Sequence, residues 1–191
     1  ITSTDSLCQR VLPEIVQAIS EAYPDLRLSI HSANRHLDFN RLAADITVRP
    51  AEQLEDTLIG VQAGLLSFAA YCAADSAASG SATASDKWLS LEGPLARSKP
   101  AEWMRTNLRK SQIGMGSDSF MVQQRLIASG VGRGLLPTII AEGDPRFCKL
   151  DHDGAEMSVP LWVASAADMA HTPKVKVVTS MLVEGLKRAL E

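Results

Sequence analysis

Two short polar runs and one arginine are the residues of this chain best suited to chemistry. The first run is Ser3-Thr4-Asp5-Ser6 and the second is Gly116-Ser117-Asp118-Ser119-Phe120; each stands where a strand hands over to a helix. Hydroxyl and carboxylate side chains at such a junction cap the first free N–H groups of the helix. The same N–H groups and hydroxyls also suit a carboxylate or other anion. Both readings stand for both runs, and Asp5 argues against a bare anion at the first. Ser32 follows a strand that should end near the first run. Arg49 ends another strand. It can pair bidentately with a carboxylate ligand, or with Glu52 or Asp56 of its own chain. Phe120 would give such a site an apolar wall.

Other chemistries lack their residues. The four histidines show no metal-ligand spacing, and there is no HExxH and no GxSxG nucleophile elbow. Cys8, Cys72 and Cys148 form no CxxC pair, so neither a zinc site nor a disulfide framework is expected. Gly130-Val-Gly-Arg-Gly lacks GxGxxG spacing and follows a helix, so it reads as a structural turn and not as a phosphate loop. No catalytic residue, metal ligand or cofactor is expected.

The elements that must position these residues alternate between strand and helix. Residues 1–4 read as a strand. Leu7, Val11, Leu12, Ile15 and Ile19 recur at helical spacing, and Pro13 kinks that helix or marks its true first turn. Apolar and polar residues alternate over Leu26–His31, the pattern of a half-buried strand. Asp45–Arg49 is a strand stopped by Pro50, and Leu58–Ala74 reads as two strand segments. Further strands are expected at Trp88–Leu91, Ile113–Met115, Gly134–Leu136, Cys148–Leu150 and Val159–Ser165. Helices are expected at Ser119–Ser129 and Pro173–Leu190, the latter with Pro173 in its first turn. The Ala/Ser tract of 75–86 reads as a loop or a poorly formed helix, and Arg105–Lys110 as a solvated edge. This alternation implies an α/β fold with a largely parallel sheet. Two crossings of the chain, near Ala69–Ala74 and Ser165–Thr172, imply two lobes and a cleft. The first lobe would hold residues 1–72 and 168–191, the second 73–167.

Composition sets the bounds on function. The chain has 191 residues, 46% of them hydrophobic and 21% charged, which suits a globular protein. A formal charge of −3 gives no general attraction to nucleic acid. No apolar run approaches the ~18 residues needed to span a membrane. The start at Ile1, without an initiator Met, reads as a fragment or processed product. The unpaired cysteines read as a reducing, cytoplasmic setting.

Several segments in chain order resemble one family. Ala22-Tyr-Pro-Asp-Leu-Arg-Leu28 is similar to the turn leading to the second strand of LysR-type effector domains. Leu42-Ala-Ala-Asp-Ile-Thr-Val-Arg49 resembles their "Asp-Leu-Ala-Ile-Arg" strand, and Ala70-Tyr-Cys-Ala73 their first hinge. Trp88-Leu89, Gly132-Arg-Gly-Leu-Leu-Pro137 and Pro160-Leu-Trp-Val163 with His171-Thr-Pro-Lys-Val175 resemble the later motifs. The tract at 75–86 and polar Thr47 depart from the pattern. The resemblance implies a two-lobed, periplasmic-binding-protein-like fold and a non-enzymatic effector-binding domain of a transcriptional regulator. It also implies a small organic acid held in the interlobe cleft by Ser3, Thr4, Ser32, Arg49, Ser117, Asp118 and Phe120. The partners implied are a second copy in a homodimer, or a tetramer in the full-length protein, and promoter DNA only through a winged helix-turn-helix outside these residues. A periplasmic-type solute-binding protein has the same lobed fold, and so do some enzymes, whose cofactor-anchoring Cys or catalytic Thr motifs find no match here.

Overall fold

Pro13 decides how the chain begins. It has no N–H to donate, and its ring clashes with the carbonyl four residues back, so a helix running through it is disfavoured. The computed structural model, which describes residues 1–34, 44–75, 86–152 and 155–190, accordingly shows two helices where the spacing suggests one. Strand β1 is Thr2–Ser3, α1 is Asp5–Arg10, and α2 is Leu12–Ala22 with Pro13 in its first turn. The N–H of Val11 closes α1 on the carbonyl of Leu7 at 3.1 Å. Helix α2 then buries Leu12, Ile15 and Ile19.

The described chain forms two compact units, Ile1–Leu66 with Val159–Glu191, and Ser67–Ser158. In the first, the strands after β1 are β2 (His31–Ser32), β3 (Thr47–Pro50), the start of β4 (Leu58–Ala73) and most of β9 (Met157–Ala166). Their order is β2-β1-β3-β9-β4. β1 runs parallel to β2 and β3, with Thr2 opposite His31 and Thr47, whereas β3 and β9 are antiparallel, with Val48 opposite Val163. The last helix, α5 (Pro173–Leu190), buries Val175, Val178, Leu182 and Leu186. It reaches α2 at Gly185, where a Cβ would lie 2.7 Å from Ile15 Cγ1.

The second unit holds the rest of β4 with β5 (Trp88–Leu91), β6 (Ile113–Ser117), β7 (Gly134–Pro137) and β8 (Phe147–Leu150). β5 and β6 are parallel, and β7 and β8 both pair antiparallel with β4. Its helices are α3 (Lys99–Asn107) and α4 (Phe120–Ala128). Helix α4 stops as Gly130 suggests. That glycine takes φ 73°, Val131 N–H reaches back to Leu126 O, and Gly130 N–H reaches Ile127 O. This is the Schellman arrangement, which a residue with a Cβ adopts only under strain.

Three expectations are corrected, and one helix was not expected. The sheet is mixed, not largely parallel. β1 and β2, joined through α1 and α2, are parallel, as are β5 and β6, joined through α3; β4 and β9, which have residues in both units, pair antiparallel with β7, β8 and β3. Leu58–Ala73 is one strand of 16 residues. Gly60 does not break it, because a Cβ there would sit 2.6 Å from Ala164 Cβ, and only glycine allows that approach. The alternation at Leu26–His31 gives only the two-residue β2, since β1 offers just Thr2 and Ser3 to pair with, and Ile30 is 40% exposed. Helix α3 has its signal in Ser98, whose hydroxyl accepts from Ala101 N–H at 3.4 Å, and in Pro100 of its first turn. Residues 76–85, most of the Ala/Ser tract, lie outside the described residues.

One buried group ties the fold to pH. The Tyr71 hydroxyl is buried and has no hydrogen-bond partner among the described residues. Burial, then the charges of Glu142 and Glu156, push its pKa from 10.0 up to about 12. The folded state keeps this proton longer than the unfolded chain does. The associated stability is therefore complete below pH 10 and is lost as pH rises through about 12. Tyr71→Phe should remove that alkaline loss in urea titrations and leave stability at pH 7 unchanged or slightly raised, because an unpaired buried hydroxyl disappears.

Candidate functional site

In the first unit the site grows from β1. Its two residues end at Thr4, so Ser3 faces inward and its hydroxyl donates to Val48 O of β3 at 2.7 Å. Thr4 is the N-cap residue of α1 but makes no capping bond; its hydroxyl lies 3.4 Å from that of Ser6. The first N–H groups of α1 are occupied, Asp5 N–H by Asn34 Oδ1 at 3.2 Å and Ser6 N–H by Asp5 Oδ1 at 2.7 Å. An anion on this helix start would displace both, so the α1 terminus is a capped turn.

The positive charge comes from β3. Arg49 is only 9% exposed, and its guanidinium donates to Thr2 Oγ1 at 3.1 Å. Among the described residues it has no carboxylate partner, so it pairs with neither Glu52 nor Asp56. Burial pulls its pKa down from the usual arginine value, yet a guanidinium stays protonated. Cys8 lies beside it. The hydroxyls of Ser32 and Ser3 are in hydrogen-bonding reach of this thiol, but burial dominates and raises its pKa, which keeps it a thiol at neutral pH. Thus Ser3, Ser32 and Arg49 come together around Cys8, whereas Thr4 turns to Ser6. Sequence reasoning missed Cys8 and Thr2. The one available signal was the i, i+4 spacing of Thr4 and Cys8, which puts both on one helix face.

In the second unit the polar run ends β6 and starts α4. Ser119 is the cap, accepting from Val122 N–H at 3.2 Å, and Ser117 Oγ accepts from Ser119 N–H at 3.1 Å. Asp118 packs beside Gly93, whose Cβ would lie 3.1 Å from Asp118 Cβ. Phe120 is 5% exposed, its ring 5.6 Å from that of Phe68. Ser117 is therefore the half-buried hydroxyl this unit offers, while Phe120 belongs chiefly to the core. One turn on, fully buried Gln123 donates to Ser90 O at 2.7 Å and ties α4 to β5, but its Oε1 has no partner among the described residues. A glutamine on the buried face of an amphipathic helix was the overlooked signal.

No group of three or more His, Cys, Asp or Glu among the described residues is arranged to hold a metal, and no described helix is long and apolar enough to cross a membrane. A buried cation with hydroxyls around it attracts an oxyanion.

The likeness to known proteins agrees with the architecture. The LysR substrate-binding domain family matches residues 1–187. No curated protein sequence matches. Among solved structures, the regulatory domain of CrgA, a LysR-type transcriptional regulator from Neisseria meningitidis, is similar at 20% identity. That match covers 97% of this chain and 96% of that one, with a TM-score of 0.78. The AmpR effector-binding domain from Citrobacter freundii is similar at 15% identity, over 98% and 96% of the two chains, with a TM-score of 0.80. The regulatory domain of OxyR2 E204G from Vibrio vulnificus is similar at 13% identity, over 99% and 93%, with a TM-score of 0.74. The fold is thus the α/β, periplasmic-binding-protein-like fold of these domains. On the family match and on this fold, the chain belongs to the LysR substrate-binding domain family and is a LysR-type effector-binding regulatory domain.

Proposed function

We propose that this domain senses a small organic anion with a carboxylate group and passes the signal on through a homodimer, without turnover, in the cytoplasm. The observation that carries the reading is Arg49, a buried guanidinium whose only hydrogen bond goes to Thr2 and which has no carboxylate partner among the described residues. Burying a charge is costly unless it is paired, and an effector carboxylate supplies the missing partner. Ser3, Thr4 and Ser32 complete the ligand's surroundings in one effector subdomain. Ser117, Asp118 and Phe120 do so in the other. A ligand held by these residues would favour one arrangement of the domain. Regulation then needs only differential affinity for two arrangements. Promoter DNA would be contacted by a winged helix-turn-helix domain of the full-length regulator, since a net charge of −3 gives this chain no general attraction to phosphate.

The dimer would use α2 and α4 of each copy, where Tyr23, the C-cap residue just past α2, and Val122 of α4 are 43% and 48% exposed. Isologous pairing is the commonest closed assembly. Sedimentation at tens of micromolar should show a dimer that Val122→Asp converts to monomer; a parent that stays monomeric refutes this part. For the sensing function, a thermal-shift screen of small organic acids should find a stabilising ligand. Calorimetry should then show weaker binding by Ser117→Ala and Arg49→Met. If both variants bind like the parent, the site is misplaced.

A further inference from the structure

The last helix has a second face that the core does not use. Val175, Val178, Leu182 and Leu186 turn inward, while Lys176, Ser180, Val183 and Lys187 recur at intervals of three or four residues and form a separate stripe. That stripe and the start of β4 enclose a cavity of about 500 Å³ that lies wholly within the first unit. None of its lining residues belongs to the Arg49 cluster. Ile59 and Val61 of β4 give it apolar walls with Val183, and these two residues are 49% and 48% exposed. Ser165 of β9 also lines it. This serine is 3% exposed, and no hydrogen bond engages its hydroxyl among the described residues. Lys176 and Lys187 stand at the cavity with Glu184, and neither lysine forms an ion pair among the described residues.

We propose that this cavity is a second small-molecule site, distinct from the Arg49 cluster, for an amphipathic organic anion. Its size is that of pockets that bury small organic ligands, which are mostly apolar with a few convergent polar groups. The hydrocarbon body lies on Ile59, Val61 and Val183. The anionic head meets Lys176 and Lys187, whose two charges outweigh Glu184, and it accepts from the Ser165 hydroxyl, which lines the cavity. A cationic amphiphile of the same length would place its charge on the two lysines and is excluded.

The test uses the whole chain labelled with nitrogen-15 and titrated with octanoate, benzoate and octylamine as probes. The amide signals of 59–61 and 179–184 should move saturably with octanoate or benzoate and not with octylamine. The double variant K176Q/K187Q should weaken that binding roughly three- to tenfold, the range open to solvent-exposed ion pairs. Val61→Trp, at a position exposed enough to take the larger ring without disturbing the core, should abolish it. Arg49→Met should leave it unchanged, so this site and the sensing site fail or stand separately. The proposal is overturned if neither anion moves those signals, if octylamine binds as well, or if both cavity variants titrate like the parent.

Discussion

Replacing Arg49 by methionine should lower effector affinity by roughly ten- to a hundredfold, about 1.5–3 kcal/mol, the worth of a charge-assisted hydrogen bond. The same change should not harm the fold. Arg49 is 9% exposed, holds one hydrogen bond, to Thr2, and has no carboxylate partner among the described residues. Its burial therefore costs the empty domain stability, and a methionine of similar length removes an unpaired charge from the interior. Urea unfolding of the ligand-free variant should show stability equal to the parent or up to about 2 kcal/mol higher. The two readouts must diverge, with binding lost and stability kept. A variant that loses both would make Arg49 a structural residue and remove the support for an anionic effector. Lysine at the same position should restore affinity only in part, because its single ammonium lacks the planar fork.

Gly116→Ala should be among the most damaging single-methyl changes in the second unit. A Cβ there would lie 2.0 Å from Ser90 Oγ, 2.5 Å from Ser90 O and 2.7 Å from Glu92 Oε1. The serine and glutamate side chains can turn away, but the carbonyl belongs to β5, directly across from Gly116 in the β5–β6 pair. Relief requires the two strands to part where β6 delivers Ser117. Overpacking of this kind costs about 3 kcal/mol, which for a chain of this size lowers the melting temperature by roughly 6–12 °C. Ser90→Gly should rescue only part of the loss, since it removes the hydroxyl and leaves the carbonyl. A melting temperature within a degree of the parent would show that β5 and β6 separate freely, and that the end of β6 is no fixed platform for Ser117.

Much of the candidate site's residue list could be proposed from the chain because capping chemistry is local. Ser, Thr and Asp before a helical run mark a junction whatever the fold, and Arg49 before Pro50 marks a strand end. What those residues do was not legible. Whether Arg49 met Glu52, Asp56 or no carboxylate depended on where β3 lies relative to β1, and that pairing joins residues 45 apart in sequence. Phe120 had the right type for a ligand wall, but Phe68, far away in the chain, packs its ring in the core. Cys8 joined the cluster only because β2 and β3 flank β1.

The sequence by itself determined the periodic elements, the stops at Pro50 and Gly130, the position of the last helix and, through ordered motifs, the family. These follow from backbone sterics and from hydrophobic spacing within a dozen residues. Only the tertiary structure decided that Pro13 divides the first helix, that Gly60 serves close strand packing, and that the sheet is mixed. It alone decided that one buried arginine finds no acid among the described residues. Each of these depends on which distant segment arrives alongside, and burial by a distant segment removes the water that would otherwise screen or satisfy the group.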